Sequence, residues 1–224
     1  MVSLNSWLLQ IVAFAFFCLA ISPVKVYAVS TEVRSISAGD RDVGKSPANI
    51  FIQNLGDQAL DILSDNKRTP EEKDTAFQDM LRRSFDLPTI ARFVIGRNAW
   101  FGATDPEKAE YLKLFEKLVV RIYSDRFSFY SGEKFHVQSE RQEGERDTMV
   151  TSHIMRPDST SPIVVDWRVR NFNGRQAIID VIVEGISMSV TQRQEYGSVL
   201  QRNENRLEPL LALMRTSLDK QENK

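Results

Sequence analysis

The run Gly39-Asp40-Arg41-Asp42-Val43-Gly44-Lys45-Ser46 matches the G-x-x-x-x-G-K-[ST] phosphate loop at every position. Its chemistry would be to cradle nucleotide phosphates between backbone N–H groups and the lysine. The surroundings do not suit that chemistry. A phosphate loop follows a buried strand, whereas Thr31 to Ala38 offers only Val33, Ile36 and Ala38 as apolar residues. Asp40 and Asp42 place negative charge in the would-be anion cradle, and Pro47 removes a backbone donor just beyond it. No nucleotide partner is expected.

The remaining chemistry-bearing residues point away from catalysis. His136 and His153 both fall on predicted strands and lack the His-x-x-x-His spacing of a metal-binding helix. The one cysteine, Cys18, lies in the N-terminal apolar segment, and no G-x-S-x-G elbow supplies a hydrolase nucleophile. His153 beside Asp166 or Asp180 would imitate part of a dyad. A small isomerase or hydratase, however, needs its carboxylate or histidine inside an apolar pocket. Alternation along the strands puts Asp166, Asp180 and Glu184 on the other, charged face. The reading is of a chain with no catalytic residue, no metal and no cofactor.

The N-terminus bounds the compartment. An apolar stretch from Trp7 to Ile21, Pro23 and the small-x-small pattern Val26-Tyr27-Ala28 resemble a secretory signal, with cleavage expected after Ala28 and periplasmic export as the consequence. The stretch is shorter than the ~20 residues that span a bilayer. No Lys or Arg precedes it, so the amino terminus alone supplies the positive charge such signals carry. Formal net charge is −1, with 29 basic and 30 acidic residues, and loss of Lys25 makes the exported chain slightly more acidic. Mixed charges of this kind give no sign of a nucleic-acid partner.

Positioning elements follow from caps and periodicity. Residues 29–45 read as a flexible lead-in to a single domain at 46–224. Ser46-Pro47 opens a first helix with Ile52, Leu55, Ala59 and Ile62 on one face, ending near Asp65. Thr69-Pro70-Glu71-Glu72 opens a second, and Asp86 with Pro88 opens a third that Gly96 ends. Thr104-Asp105-Pro106-Glu107 opens the longest, with Tyr111, Leu114, Phe115, Leu118, Ile122 and Tyr123 along it, so the helical part covers 46–131. From 133 to 185 the period changes from about 3.6 to 2. Val165, Trp167 and Val169 alternate with Asp166, Arg168 and Arg170, Asn173-Gly174 marks a hairpin turn, and Ile179, Val181 and Val183 share the next apolar face. Two closing helices occupy 188–219. The fold class is α+β: a curved antiparallel sheet of about four strands covered by N-terminal and C-terminal helices.

Aromatic residues concentrate from Phe77 to Tyr130, and periodicity does not separate a solid core from a ligand pocket. Two stretches carry a resemblance. Phe85-Asp86, Ile90-Ala91-Arg92-Phe93-Val94-Ile95-Gly96 and Trp100 are similar to one signature of the MlaC family, also called the toluene-tolerance auxiliary component. The second is Ile179-Asp180-Val181-Ile182-Val183-Glu184-Gly185-Ile186-Ser187-Met188 with Thr191-Gln192-Arg193-Gln194-Glu195-Tyr196, and the resemblance spans about residues 50–218. It implies a periplasmic, non-enzymatic carrier whose hydrophobic cavity, between sheet and helices, holds phospholipid acyl chains. The implied partners are an outer-membrane lipoprotein complex and an inner-membrane ABC transporter with its membrane-anchored substrate-binding subunit. Such traffic maintains outer-membrane lipid asymmetry. Some relatives are associated with hopanoids, so a hopanoid cargo stays open, as does an adaptor with a solid core and no lipid.

On that resemblance, Phe93, Phe115, Val119 and Tyr123 from the helices and Val165, Trp167, Val169, Val181 and Val183 from the sheet are expected to line the cavity. Arg92, Arg97 and Arg193 are candidates for headgroup or partner contact, with solvated helix charge as the alternative reading.

Overall fold

Each helix begins where the sequence supplies an acceptor for its unpaired amides. The computed structural model describes residues 45–127 and 131–222, apart from the side chains of residues 123, 125–127, 221 and 222. The segment expected to be cleaved and nearly all of the lead-in lie outside these residues. Helix α1 (Pro47–Ser64) starts at Ser46, whose Oγ accepts from the Asn49 amide at 3.2 Å. That hydroxyl also donates to Glu140 Oε2 at 2.6 Å, so the serine of the phosphate-loop look-alike is committed to the fold. Helix α2 (Pro70–Ser84) has a reciprocal capping box between Thr69 and Glu72. Asp86 caps α3 (Leu87–Ile95), and Thr104 with Glu107 caps α5 (Asp105–Phe127).

Gly96 ends α3 with φ of 77°, and a short helix that the sequence reading does not include, α4 (Arg97–Gly102), starts directly after it. Its six residues are too few to show a helical period.

The sheet runs β1 (Lys134–Glu143), β2 (Asp147–Met155), β3 (Ile163–Phe172), β4 (Arg175–Val183) and β5 (Ile186–Ser187), antiparallel in chain order. Against the expected four or so strands, the addition is β5, a two-residue return from the turn at Glu184 and Gly185, which have φ of 50° and 79°. Asn173 and Gly174 make the preceding hairpin turn with φ of 52° and 98°. One register shift in each of β1 and β4 leaves Gln138 and Ile179 as extra residues, and such bulges bend a strand. Two helices close the chain, α6 (Met188–Arg202) and α7 (Glu208–Glu222).

Apolar residues gather in two clusters. One is helical, joining α3, α4, α5, α6 and α7 around Tyr111, Phe115, Leu200, Leu210 and Leu211. The other packs α1 and α2 on the sheet, with Ile52, Phe77, Met80, Val150, Val169 and Ile178 at its centre. No helix among the described residues is long and apolar enough to cross a membrane.

Candidate functional site

The apolar face of the sheet is built by cross-strand pairing. Val165 stands opposite Val183, Trp167 opposite Val181 and Val169 opposite Ile178. Phe135 of β1 meets the Trp167 ring nearly edge-on, at 6.4 Å between centroids and 69° between planes. The indole N–H donates to Ser152 Oγ at 2.8 Å, and that hydroxyl donates to the Val165 carbonyl at 3.3 Å. Ser152 is 0% exposed. The wall's polar atoms are therefore satisfied within it, and the surface it turns to the helices is hydrocarbon.

The register corrects the reading of β4. Ile179 was expected to share a face with Val181 and Val183. The bulge makes Ile179 the extra residue, and the fully buried Ile178 takes the place opposite Val169. This also accounts for the run of isoleucines that blurs the alternation in sequence.

The charged face forms its own cross-strand network. Asp147 accepts two bonds from Arg170, at 2.6 and 2.7 Å, and Arg170 holds the Asp147 carboxyl below its usual range. Thr151 donates to Asp166 at 2.5 Å. Asp180 Oδ1 accepts from the amides of Val181 and Ser189, and Oδ2 from the Ser187 hydroxyl, tying β4 to the start of α6. His136 and His153 are register partners on β1 and β2. Among the described residues, no group of three or more His, Cys, Asp or Glu side chains gathers as a metal site would require.

The candidate lining residues divide. Val165, Val169 and Val183 are buried and Trp167 and Val181 half-buried in the sheet wall. Phe115, expected to line the cavity, packs in the helical cluster, with its centroid 5.9 Å from Tyr111 and 6.5 Å from Tyr196. Val119 leans on that same cluster. Phe93 is 44% exposed on the outside of α3, under the Arg193 guanidinium at 4.9 Å. The reason is that α6 and α7, rather than the sheet, cover α5 and α3 on this side. The Tyr123 side chain lies outside the described residues, as do Phe129 and Tyr130. Leu87, Val165 and Val183 are buried yet belong to neither cluster. Two surface clefts flank α2, and neither includes a candidate lipid-binding residue.

Two titratable groups were not singled out by the sequence. Tyr111 is fully buried, its hydroxyl donates to the Ala91 carbonyl at 2.9 Å, and burial pushes its pKa well above the usual value. Glu195 on α6 is half-buried, and burial pushes its carboxyl up to about 7. The Gln192 amide donates to it at 3.2 Å.

An open antiparallel sheet with one hydrocarbon face under helices, and with Asp147, Asp166 and Asp180 engaged in pairing and capping, defines an α+β fold whose sheet carries an apolar wall. The chain belongs to the MlaC family, whose model, described as "MlaC protein", matches residues 53–216. It is 21% identical over 183 residues to a Haemophilus influenzae protein named intermembrane phospholipid transport system binding protein MlaC, an alignment covering 78% of this chain and 84% of that protein. Its fold is similar to that of a phospholipid-binding protein from Ralstonia solanacearum solved in complex with a phospholipid. The TM-score is 0.69 at 15% identity, covering 79% of this chain and 99% of the other.

Proposed function

We propose that this protein is a soluble periplasmic carrier that shelters phospholipid acyl chains against the apolar face of the sheet. It moves them between an outer-membrane lipoprotein complex and an inner-membrane ABC transporter, and so sustains outer-membrane asymmetry. The observation that carries the reading is the wall of Val165, Trp167, Val181 and Val183, apolar and with its polar atoms hydrogen-bonded within the sheet. Membership of the MlaC family and the phospholipid named for both similar proteins support it. Of the helical candidates, Val119 belongs to the far wall in this reading, while Phe115 acts as scaffold.

The energetics suit a carrier without chemistry of its own. Burying a methylene is worth about 0.8 kcal/mol, so a chain of ~16 carbons crossing water unprotected costs roughly 12 kcal/mol. A dry apolar cavity removes most of that barrier. Because bilayer and cavity are both apolar, exchange between them stays close to balanced, and direction must come from the partners.

Native mass spectrometry of protein purified from the periplasm without detergent, with lipid extraction of the same sample, tests the reading. A mass excess matching a phospholipid supports it, and one matching a hopanoid changes the cargo. A lipid-free mass together with no uptake from liposomes refutes it in favour of an adaptor with a solid core.

A further inference from the structure

Around Gly96 the surface pairs guanidinium groups with rings, Phe93 and Phe101 exposed and Trp100 half-buried. Arg193 lies over Phe93 at 4.9 Å, Arg92 over Trp100 at 5.3 Å and Arg97 over Phe101 at 5.3 Å. Phe101 is 69% exposed and Phe93 44%. Among the described residues, none of these three arginines pairs with a carboxylate; nearby, Lys108 is offset by Asp105 at 3.3 Å, and Glu107 is engaged by Thr104. The backbone gathers the three helices involved. Gly96, at φ of 77°, joins α3 to α4, and a Cβ there would stand 3.3 Å from Arg193 Nη2 of α6. Exposed Val190, one turn before Arg193, extends the apolar surface along α6.

We propose that this knob docks the protein on an anionic bilayer surface. Guanidinium groups without a carboxylate partner match phosphate-bearing headgroups in charge and hydrogen bonding, with Arg193 already donating one N–H to the Phe93 carbonyl. Aromatic rings beside them are the side chains that settle at a membrane interface, with apolar bodies inward and charges at headgroup level. The shape favours a bilayer over a folded partner. Protein hot-spot residues sit in well-packed pockets, whereas Phe101 protrudes from a short helix and suits a deformable layer. The inference goes beyond the carrier reading, since a molecule without cargo would dock by the same groups.

Sedimentation with liposomes tests it, using phosphatidylcholine vesicles with and without phosphatidylglycerol at low and high NaCl. The full-length exported protein is expected to sediment with anionic vesicles only and to be released by salt. Each arginine neutralised, as in Arg97→Gln, should weaken the association about fivefold. The double charge reversal Arg92→Glu/Arg97→Glu should abolish it with the circular dichroism spectrum unchanged, and Phe101→Ala should weaken it at every salt concentration. Wild-type protein that ignores anionic vesicles at low salt overturns the proposal and leaves an acidic protein surface as the counterpart. Salt-sensitive binding that survives charge reversal overturns it as well. Lipid extraction of the unbound protein separates this outcome from that of the carrier reading.

Discussion

Replacing Gly56 by alanine in the middle of α1 should destabilise the protein, against the ordinary rule. In a helix interior that substitution normally gains roughly 0.5–1 kcal/mol because glycine gives up more backbone freedom on folding. Here a Cβ on Gly56 would stand 2.1, 2.4 and 2.7 Å from Cδ1, Cε1 and Cγ of Phe135. Three ring carbons inside contact distance mean that ring rotation alone does not relieve the clash. Helix or ring must withdraw by more than about 1 Å to restore van der Waals separation. Overpacking of that kind costs about 1–3 kcal/mol, so a net loss of roughly 1–2 kcal/mol remains after the helical gain. For a domain of this size that corresponds to a fall in Tm of about 2–8 °C. Thermal and urea denaturation of Gly56→Ala would measure it, with Gly56→Ala/Phe135→Leu as the companion in which the shorter side chain relieves part of the clash. Because Phe135 supports the Trp167 ring, the single variant should also shift tryptophan emission and reduce lipid retention. A Gly56→Ala protein more stable than wild type, with unchanged emission, would refute the claim that α1 rests on β1 through this bare Cα.

Further outcomes follow from the same geometry. Val181→Trp or Val183→Trp should fill the space before the sheet and strip co-purifying lipid; a folded variant that keeps its full complement shows that these residues do not face the cargo. Asp147→Asn should cost on the order of 1–3 kcal/mol at neutral pH. Arg170 lowers the folded-state pKa of Asp147, so this contribution is present above the ordinary carboxylate range and is lost as pH falls through the lowered value; the gap between the two proteins' melting temperatures should close in acid. Glu195 behaves in the opposite sense: with its carboxyl raised to about 7 from 4.5, folding is favoured at acidic pH and loses stability as pH climbs through that interval. Glu195→Gln should therefore be indistinguishable from wild type near pH 4.5 and more stable at alkaline pH, by at most about 3 kcal/mol after allowance for partial exposure; equal stability in alkali would refute it.

Local chemistry was legible in the sequence and partner choice was not. Ser46, Thr69, Asp86 and Thr104 announce helix starts because a cap acts over a single turn, and the Asn173-Gly174 hairpin because two left-handed residues define it. Val165, Trp167 and Val169 reveal a wall because alternation needs no knowledge of neighbours. The bulge at Ile179 is different, since an extra residue in one strand has meaning only against the register of β3. Phe115 and Phe93 fail for a related reason: the helical period gives the apolar stripe, but whether α6 or the sheet covers it is decided by contacts remote in sequence. Asp180, read as ordinary charge on the outer face, spends its lone pairs on the first turn of α6, a role only the β4–β5 turn geometry discloses.

Placement of the indoles gives the protein two optical channels. Of its three tryptophans, Trp7 falls within the segment expected to be cleaved, leaving Trp100 and Trp167. One lies half-buried against the helical core beneath Arg92 and Lys108, the other in the sheet wall with its N–H held by Ser152. Emission from a Trp100→Phe variant would follow cargo, and emission from a Trp167→Phe variant would follow docking. Brominated acyl chains, which quench on contact, would then time the two events separately in a single stopped-flow experiment without any attached dye.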